Sequence, residues 1–219
     1  MPLFKGRTYD LYLKRWLDMV LAVILGIIFL PVGLVLAVII KLDSAGPIFA
    51  DTPERVGQDG KLFKMYKFRS MVVNAHMMLR NDPNLRSLYL KYKKNSYKLQ
   101  EDPRVTRLGK FLRKHSLDEI PQLINVIVGD MTLVGPRAYY PDELANQQRK
   151  YPATKTKVSK VLSIKPGITG YWQVSGRSAV NFDKRIAMDA DYVDHRSLWY
   201  DIKILMVTPW AMISGKGAV

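Results

Sequence analysis

The stretch MVLAVILGIIFLPVGLVLAVII occupies residues 19–40 and contains no charged side chain. A helix rises by about 1.5 Å per residue, so this length suffices to cross a hydrocarbon core of roughly 30 Å. Pro31 lies near the middle of the run. Because proline lacks an N–H and its ring clashes with the carbonyl of Ile27, we expect a kink or break there. The sequence therefore predicts a membrane segment that departs from a straight span.

Basic residues flank this segment on both sides: Lys5, Arg7, Lys14 and Arg15 before it, and Lys41 and Arg55 after it. A spanning helix concentrates Lys and Arg on its cytoplasmic side. Positive charge at both ends favours a re-entrant helix–break–helix, which enters and leaves through one face. The alternatives are a kinked transmembrane helix and a secretory signal peptide, whose apolar core is typically only ~7–15 residues.

The rest of the chain has the length of one ordinary domain. We divide the sequence into an N-terminal membrane anchor, residues 1–45, and one further domain, residues 46–219. The formal net charge is +15, and residues 61–115 contain fifteen Lys and Arg against three acidic residues. Such a field attracts anionic lipid headgroups, phosphorylated small molecules and nucleic acid. The chain has no cysteine and three isolated histidines, which excludes disulfides and argues against a zinc site. Any metal would be held by oxygen.

Local patterns predict an α+β fold that is mainly helical. The turn signal at residues 56–60 separates two short extended runs, which predicts a β-hairpin. Helical spacing covers residues 70–98, with an interruption at Asp82-Pro83, and then residues 107–114 and 117–128. Residues 199–213 carry Trp199, Tyr200 and Trp210 among aliphatic residues. This composition is typical of an amphipathic helix at a membrane interface, although a packed core helix is an equal alternative.

The most informative polar motif is Ser116-Leu117-Asp118-Glu119. As a structural pattern it predicts a capping box, with Ser116 as the N-cap and Glu119 at the third helical position. The same geometry places Asp118 at the positive end of a helix, where a carboxylate stays ionised and a phosphate is attracted. Aspartate can attack a phosphoryl group, and Glu119 could hold Mg²⁺, which takes oxygen ligands. The two interpretations are compatible.

Basic residues surround this motif in sequence: Arg104, Arg107, Lys110, Arg113 and Lys114 precede it, and Arg137 follows it. Arginine offers a planar fork of donors that suits phosphate oxygens. In Gly135-Pro136-Arg137 a glycine and a proline restrict the backbone just before the arginine, so its side chain is expected to project from a rigid turn.

The chain resembles a known family through several motifs in the same order: Lys67-Phe68-Arg69-Ser70-Met71, Asp102-Pro103-Arg104, Ser116 to Leu123, Leu133 to Arg137, Lys165 to Gly170, and Trp172 to Arg177. They resemble the bacterial sugar transferases. More closely, they resemble the monotopic polyprenyl-phosphate sugar-1-phosphate transferases, including the catalytic domains of undecaprenyl-phosphate galactose and glucose phosphotransferases.

The resemblance implies a reaction. Such enzymes transfer sugar-1-phosphate from a UDP-sugar to undecaprenyl phosphate and release UMP, which is the first membrane step in the assembly of exopolysaccharide, capsule or lipopolysaccharide O-antigen. It implies location at the bacterial inner membrane, with residues 46–219 as the catalytic domain on the cytoplasmic face, contact with anionic lipids and no nucleic-acid partner. A homodimer is a further expectation. The sugar and the pathway stay open.

The resemblance also implies roles for individual residues. Asp118 would be the covalent nucleophile, Glu119 the Mg²⁺ ligand and Pro31 the break in the re-entrant helix. Substrate binding would fall to Lys67, Arg69, Arg113, Pro136, Arg137, Gln173 and Arg177. Two positions differ from the usual family pattern, since Ala138 follows Arg137 where a second proline is common and Leu30 precedes Pro31 where a serine is common.

A membrane-tethered protein that binds anionic lipid or nucleic acid through residues 61–114 is the rival hypothesis. The sequence contains no recognisable nucleic-acid module. The Asp118-Glu119 pair, which follows that segment and lies inside its positive field, would also repel a polyanion.

Overall fold

The computed structural model describes residues 4–95, 97, 99, 101–175 and 181–214. The structure is mostly helical and has two small sheets of two strands each, as the predicted fold class requires. The helices are α1 (Gly6–Asp43), α2 (Ala75–Asn81), α3 (Arg86–Lys94), α4 (Arg107–Lys114), α5 (Gln122–Val128), α6 (Pro141–Lys150), α7 (Lys155–Val161), α8 (Tyr171–Ser175), α9 (Phe182–His195) and α10 (Leu198–Ser214). The strands are β1 (Arg55–Val56), β2 (Leu62–Phe63), β3 (Thr132–Val134) and β4 (Gly167–Thr169).

Helix α1 contains the apolar run. In the described part of the chain it is the one helix that is long and apolar enough to cross a membrane, and only 11% of its most apolar window is buried. The core helix of a soluble protein would be mostly buried, whereas this exposed apolar surface is typical of a helix that contacts a membrane or another protein. Helical structure extends through Pro31, so the kink or break expected there stays a prediction. Loss of one N–H removes a single hydrogen bond, and neighbouring bonds can keep the helix intact.

Both ends of α1 are attached to the rest of the chain. Near its start, Lys14 forms a buried ion pair with Asp201 of α10, and Thr132 of β3 donates to Asp18. At its end, Arg69 binds backbone carbonyls of residues 40, 44 and 45. The membrane helix is therefore an integral part of the folded unit.

The predicted hairpin is confirmed. Strands β1 and β2 pair antiparallel, with Arg55 opposite Phe63, around a turn at residues 57–61. The pairing extends outward to residues 48–50 and 67–69, where the N–H of Ala50 donates to the carbonyl of Lys67 at 2.9 Å. This extended ribbon places Lys67 and its neighbours at the centre of the molecule.

The core consists of three clusters. The first joins Ala22 of α1 to α5, β3 and α10, and the second joins Leu36 and Ile40 of α1 to Phe68 and Leu112. The third lies beneath α6, α7 and α9, includes Val56 and Tyr139 as described members, and contains no described residue of α1. Strands β3 and β4 pair in parallel beside the first cluster.

The helix predictions are largely confirmed. Residues 107–114 form α4, and the predicted helix at 70–98 is interrupted at Asp82-Pro83. Helix α10 covers the predicted residues 199–213, and its exposed face includes Trp199, Met206, Trp210 and Ile213. The indole side chains of Trp199 and Trp210 are 72% and 73% exposed, so this face is not packed in a core. Contact with the membrane interface stays a prediction for it.

Candidate active site

The Asp118-Glu119 pair lies in a single 3₁₀ turn, Leu117–Glu119, between α4 and α5. The capping-box prediction is wrong. Ser116 adopts the left-handed conformation with φ of 56° and its side chain makes no capping bond, whereas a capping serine needs an extended backbone. The regular helix begins at Gln122, after Pro121. Asp118 therefore lies before the helix and not in its first turn.

Tertiary contacts hold this turn. The N–H of Phe68 donates to the carbonyl of Asp118 at 2.9 Å. This bond brings the preceding residue, Lys67, beside both carboxylates. Its Nζ lies 2.6 Å from Oε1 of Glu119 and 3.8 Å from Oδ2 of Asp118. The motif residues from two distant segments thus form one cluster.

The Asp118 carboxyl group is buried. Burial raises the pKa of Asp118, the positive charge of Lys67 opposes that rise, and the nearby Glu119 adds to it. Lys67 is therefore the group that favours the ionised form of Asp118 most strongly. A buried carboxylate beside a lysine is poorly solvated and, in its ionised form, suited to nucleophilic attack.

Contacts with distant segments hold the backbone that follows β3 and carries Arg137. The carbonyl of Pro136 accepts from the N–H of Gly167 at 2.8 Å, and the N–H of Arg137 donates to Oδ2 of Asp189 at 3.2 Å. The guanidinium lies 5.5 Å from the ring centroid of Trp172. These contacts hold the backbone on both sides of Arg137, and a rigid turn there stays a prediction.

One cleft of about 910 Å³ joins these groups. Its polar part is lined by the predicted residues Lys67, Arg69, Arg113, Asp118, Glu119, Arg137 and Gln173. Its apolar part is formed by residues of α1 and α10, among them Leu21, Ile24, Leu25, Phe29, Leu205 and Met212. The cleft therefore suits reactants that combine anionic groups with a long apolar portion.

Besides Arg69, which binds backbone carbonyls, three arginines in this cleft lack acidic partners among the described residues. Arg55, Arg113 and Arg137 each have no carboxylate within 4.0 Å among the described residues. Burial of an unpaired cation is costly, so an anionic ligand is the expected counter-charge. Arg55 was counted from the sequence only as a basic residue after the apolar run. Its partner Tyr140 lies far along the chain, and no local pattern marks the pair.

The residues that form this cleft lie in a region that matches a known protein family. The bacterial sugar transferase family matches residues 9–215, nearly the whole chain. The chain belongs to the bacterial sugar transferase family.

Named relatives narrow the comparison for this sugar transferase. The undecaprenyl-phosphate galactose phosphotransferase of Salmonella typhimurium is 43% identical over 211 residues, which cover 94% of this chain and 42% of the relative. The UDP-glucose:undecaprenyl-phosphate glucose-1-phosphate transferase of Escherichia coli is 38% identical over 212 residues, which cover 94% and 41%. The exopolysaccharide production protein ExoY of Sinorhizobium fredii is 37% identical over 205 residues, which cover 94% and 87%. The chain thus spans less than half the length of the first two relatives.

Arg69 of this sugar transferase has a different environment from the one that its motif implied. Its terminal nitrogens donate to the carbonyls of Ala45 at 2.8 Å, Ser44 at 2.7 Å and Ile40 at 3.2 Å. These bonds satisfy carbonyls at the end of α1, which lack helical partners. Arg69 therefore attaches the membrane helix to the site, and its role in substrate binding stays a prediction.

The remaining predicted residues are distributed as follows. Gln173 donates from Nε2 to the carbonyl of Ile168 at 2.7 Å, and its buried Oε1 has no hydrogen-bond partner in the described structure. Pro136 acts through its carbonyl in the supporting turn. Pro31 lies within α1, and Arg177 lies outside the described residues.

Proposed function

We propose that this sugar transferase moves a hexose-1-phosphate from a UDP-hexose to undecaprenyl phosphate and releases UMP. The relatives named for undecaprenyl-phosphate transfer, and ExoY named for exopolysaccharide production, support this reaction and its place at the start of membrane glycan assembly. The observation that carries the proposal is the buried Asp118 carboxylate, with Lys67 beside it, in a cleft that has both arginines and an apolar wall.

The reaction proceeds in two displacements at one phosphorus atom. An oxygen of Asp118 attacks the β-phosphorus of the donor, the bond to the bridging oxygen breaks, and UMP leaves with that oxygen. An oxygen of the lipid phosphate then attacks the same phosphorus, and the Asp118 carboxylate leaves. Arg113 and Arg137 stabilise negative charge on the phosphoryl oxygens, since such reactions depend mainly on positioning and electrostatics.

Magnesium fits this site if the substrate supplies ligands. The described residues contain no group of three or more acidic or histidine side chains able to hold a metal alone. Mg²⁺ commonly uses one or two carboxylates together with substrate phosphates and water. Glu119, with Asp118 beside it, would hold the ion, which would neutralise charge on the diphosphate.

The attachment of α1 supports a re-entrant topology. In a straight helix Ala22 and Ile40 would lie about 27 Å apart along the axis. Nevertheless, Ala22 packs with Leu123, and Ile40 packs in the cluster that contains Ile120. Contacts from both halves of α1 to residues so close in sequence favour a helix that enters and leaves one face. That face would be the cytoplasmic side of the bacterial inner membrane, where the UDP-sugar is dissolved.

The test is UMP release from a panel of UDP-sugars by the full chain in lipid nanodiscs, with Mg²⁺ and undecaprenyl phosphate. We expect release from one donor and loss of release in Asp118→Asn. A matched control is Asp130→Asn, which alters a carboxylate outside the described lining of the cleft. Undiminished release by folded Asp118→Asn would contradict the assigned nucleophile.

A further inference from the structure

Arg55 is a buried cation without an acidic partner. Its residue is only 6% exposed, yet it lines the cleft that contains Asp118. Its Nη1 donates to the carbonyl of Ala138 at 3.2 Å, and its buried Nε has no hydrogen-bond partner in the described structure. The guanidinium carbon lies 3.3 Å from the ring centroid of Tyr140. The ring supports the guanidinium plane, but it provides no formal counter-charge.

The titratable neighbours of Arg55 provide no counter-charge for it. His76 packs edge-on to Tyr140, with ring centroids 5.9 Å apart. Burial lowers the pKa of His76 to about 4, and the charges of Arg104 and Arg55 contribute to the decrease. His76 is therefore neutral at physiological pH. The bidentate partner Asp102 neutralises Arg104, which leaves the charge of Arg55 uncompensated.

Two phosphates could enter the cleft, one from the sugar donor and one from the lipid acceptor, and the position of Arg55 favours the donor. Its strand neighbour Val56 packs in the core cluster beneath α6, α7 and α9, which contains no described residue of α1. The groups that contact the guanidinium directly, the ring of Tyr140 and the carbonyl of Ala138, also lie outside α1. A lipid phosphate must approach with its apolar chain along α1, whereas a soluble donor has no such constraint. The Arg55 side of the cleft therefore suits the donor.

We infer that Arg55, supported by the ring of Tyr140, binds a phosphate of the nucleotide portion of the sugar donor. This inference rests on the proposed function. An arginine fork matches two phosphate oxygens, and the anion would supply the counter-charge that the described protein residues lack. Arg113 and Arg137 would remain available for the transferred phosphoryl group.

The test measures nucleotide binding apart from turnover. The full chain in nanodiscs is titrated with UMP and with UDP by calorimetry, and the KM values for donor and lipid acceptor are measured separately. We expect Arg55→Ala to weaken nucleotide binding and raise the donor KM by about 10-fold to 100-fold, the usual range for a charged hydrogen bond. The acceptor KM should be unchanged. Arg149→Ala, an exposed arginine on α6, is the matched control.

A second substitution separates the loss of a phosphate contact from a folding defect. If Arg55→Ala does not fold, Arg55→Lys retains the charge without the planar fork, and it must still weaken nucleotide binding several-fold. Normal nucleotide affinity in a folded Arg55 variant, or an effect on the acceptor KM alone, would overturn the inference. Binding of UMP that depends on Arg55 without any turnover in the unaltered chain would support the subsite while contradicting the proposed function.

Discussion

Replacement of Lys67 by methionine should make the donor half-reaction more sensitive to acid. Lys67 Nζ lies 3.8 Å from the Asp118 carboxylate, and the two side chains are only 18% and 8% exposed. Burial raises the pKa of Asp118, and Lys67 is the largest influence that lowers it. Removal of this cation therefore raises the pKa further and reduces the ionised nucleophile at low pH.

The magnitude follows from the distance. At an effective dielectric constant of about 20, unit charges 3.8 Å apart interact by roughly 4 kcal/mol. Lys67 is closer to Glu119, at 2.6 Å, and shares its charge between the two carboxylates. We therefore assign about 1–2 kcal/mol of this attraction to the ionised form of Asp118. Its loss corresponds to about a 5-fold to 30-fold decrease in the ionised nucleophile at acidic pH.

The assay measures UMP release in a single turnover without lipid acceptor, at pH values from about 5 to about 9 in steps of about one unit. Lys67→Met should move the acidic limb of the profile to higher pH, and Lys67→Arg should move it less. Lys64→Met is the matched control, because the Lys64 side chain is exposed on the same ribbon. An equal loss of rate at every pH, with the acidic limb unmoved, would refute the electrostatic reasoning and leave Lys67 as a substrate ligand only.

Three further predictions concern stability, measured by unfolding of the full chain in nanodiscs. Arg69→Ala removes the bonds to three carbonyls at the end of α1 and should destabilise the fold by about 3 kcal/mol; an unchanged melting temperature would contradict that attachment. Gly109→Ala would place a Cβ against the carbonyl of Ser70 and should cost about 1–3 kcal/mol, whereas Gly26→Ala meets no atom within 4 Å and should be neutral. Burial raises the pKa of Asp189 from 3.8 to about 7, so the native state binds this proton more tightly and stability should fall as pH rises from about 4 to about 7. Asp189→Asn should lose that decline, and an identical pH dependence in both proteins would disprove the assignment.

Local patterns predicted the elements whose cause is local. The apolar run, the helix at residues 107–114 and the interruption at Asp82-Pro83 all follow from neighbouring residues. The capping box predicted at Ser116 was wrong, because Ser116 adopts a left-handed backbone that the local pattern does not specify. The turn that follows is held by a distant bond, from the N–H of Phe68 to the carbonyl of Asp118. Helical structure extends through Pro31, where the local pattern predicts a kink or break.

The site was predictable where motifs are specific and not where residues act through distant partners. Lys67, Asp118, Glu119 and Arg137 line one cleft, as the motifs implied. Arg55 could not be found, because its environment depends on Tyr140, which only the folded chain brings to it. Arg69 was assigned from its motif, but its carbonyl partners depend on where α1 ends. Such partners exist only in the tertiary structure.

The most direct test of the central claim is mass spectrometry of the peptide that contains Asp118, after incubation of the full chain with the accepted UDP-sugar and without lipid. The account predicts a sugar-1-phosphate adduct on Asp118 that forms together with UMP and disappears when undecaprenyl phosphate is added. Turnover with lipid present, but with no adduct on Asp118 and full activity in Asp118→Asn, would contradict a covalent intermediate and indicate direct transfer between the two substrates.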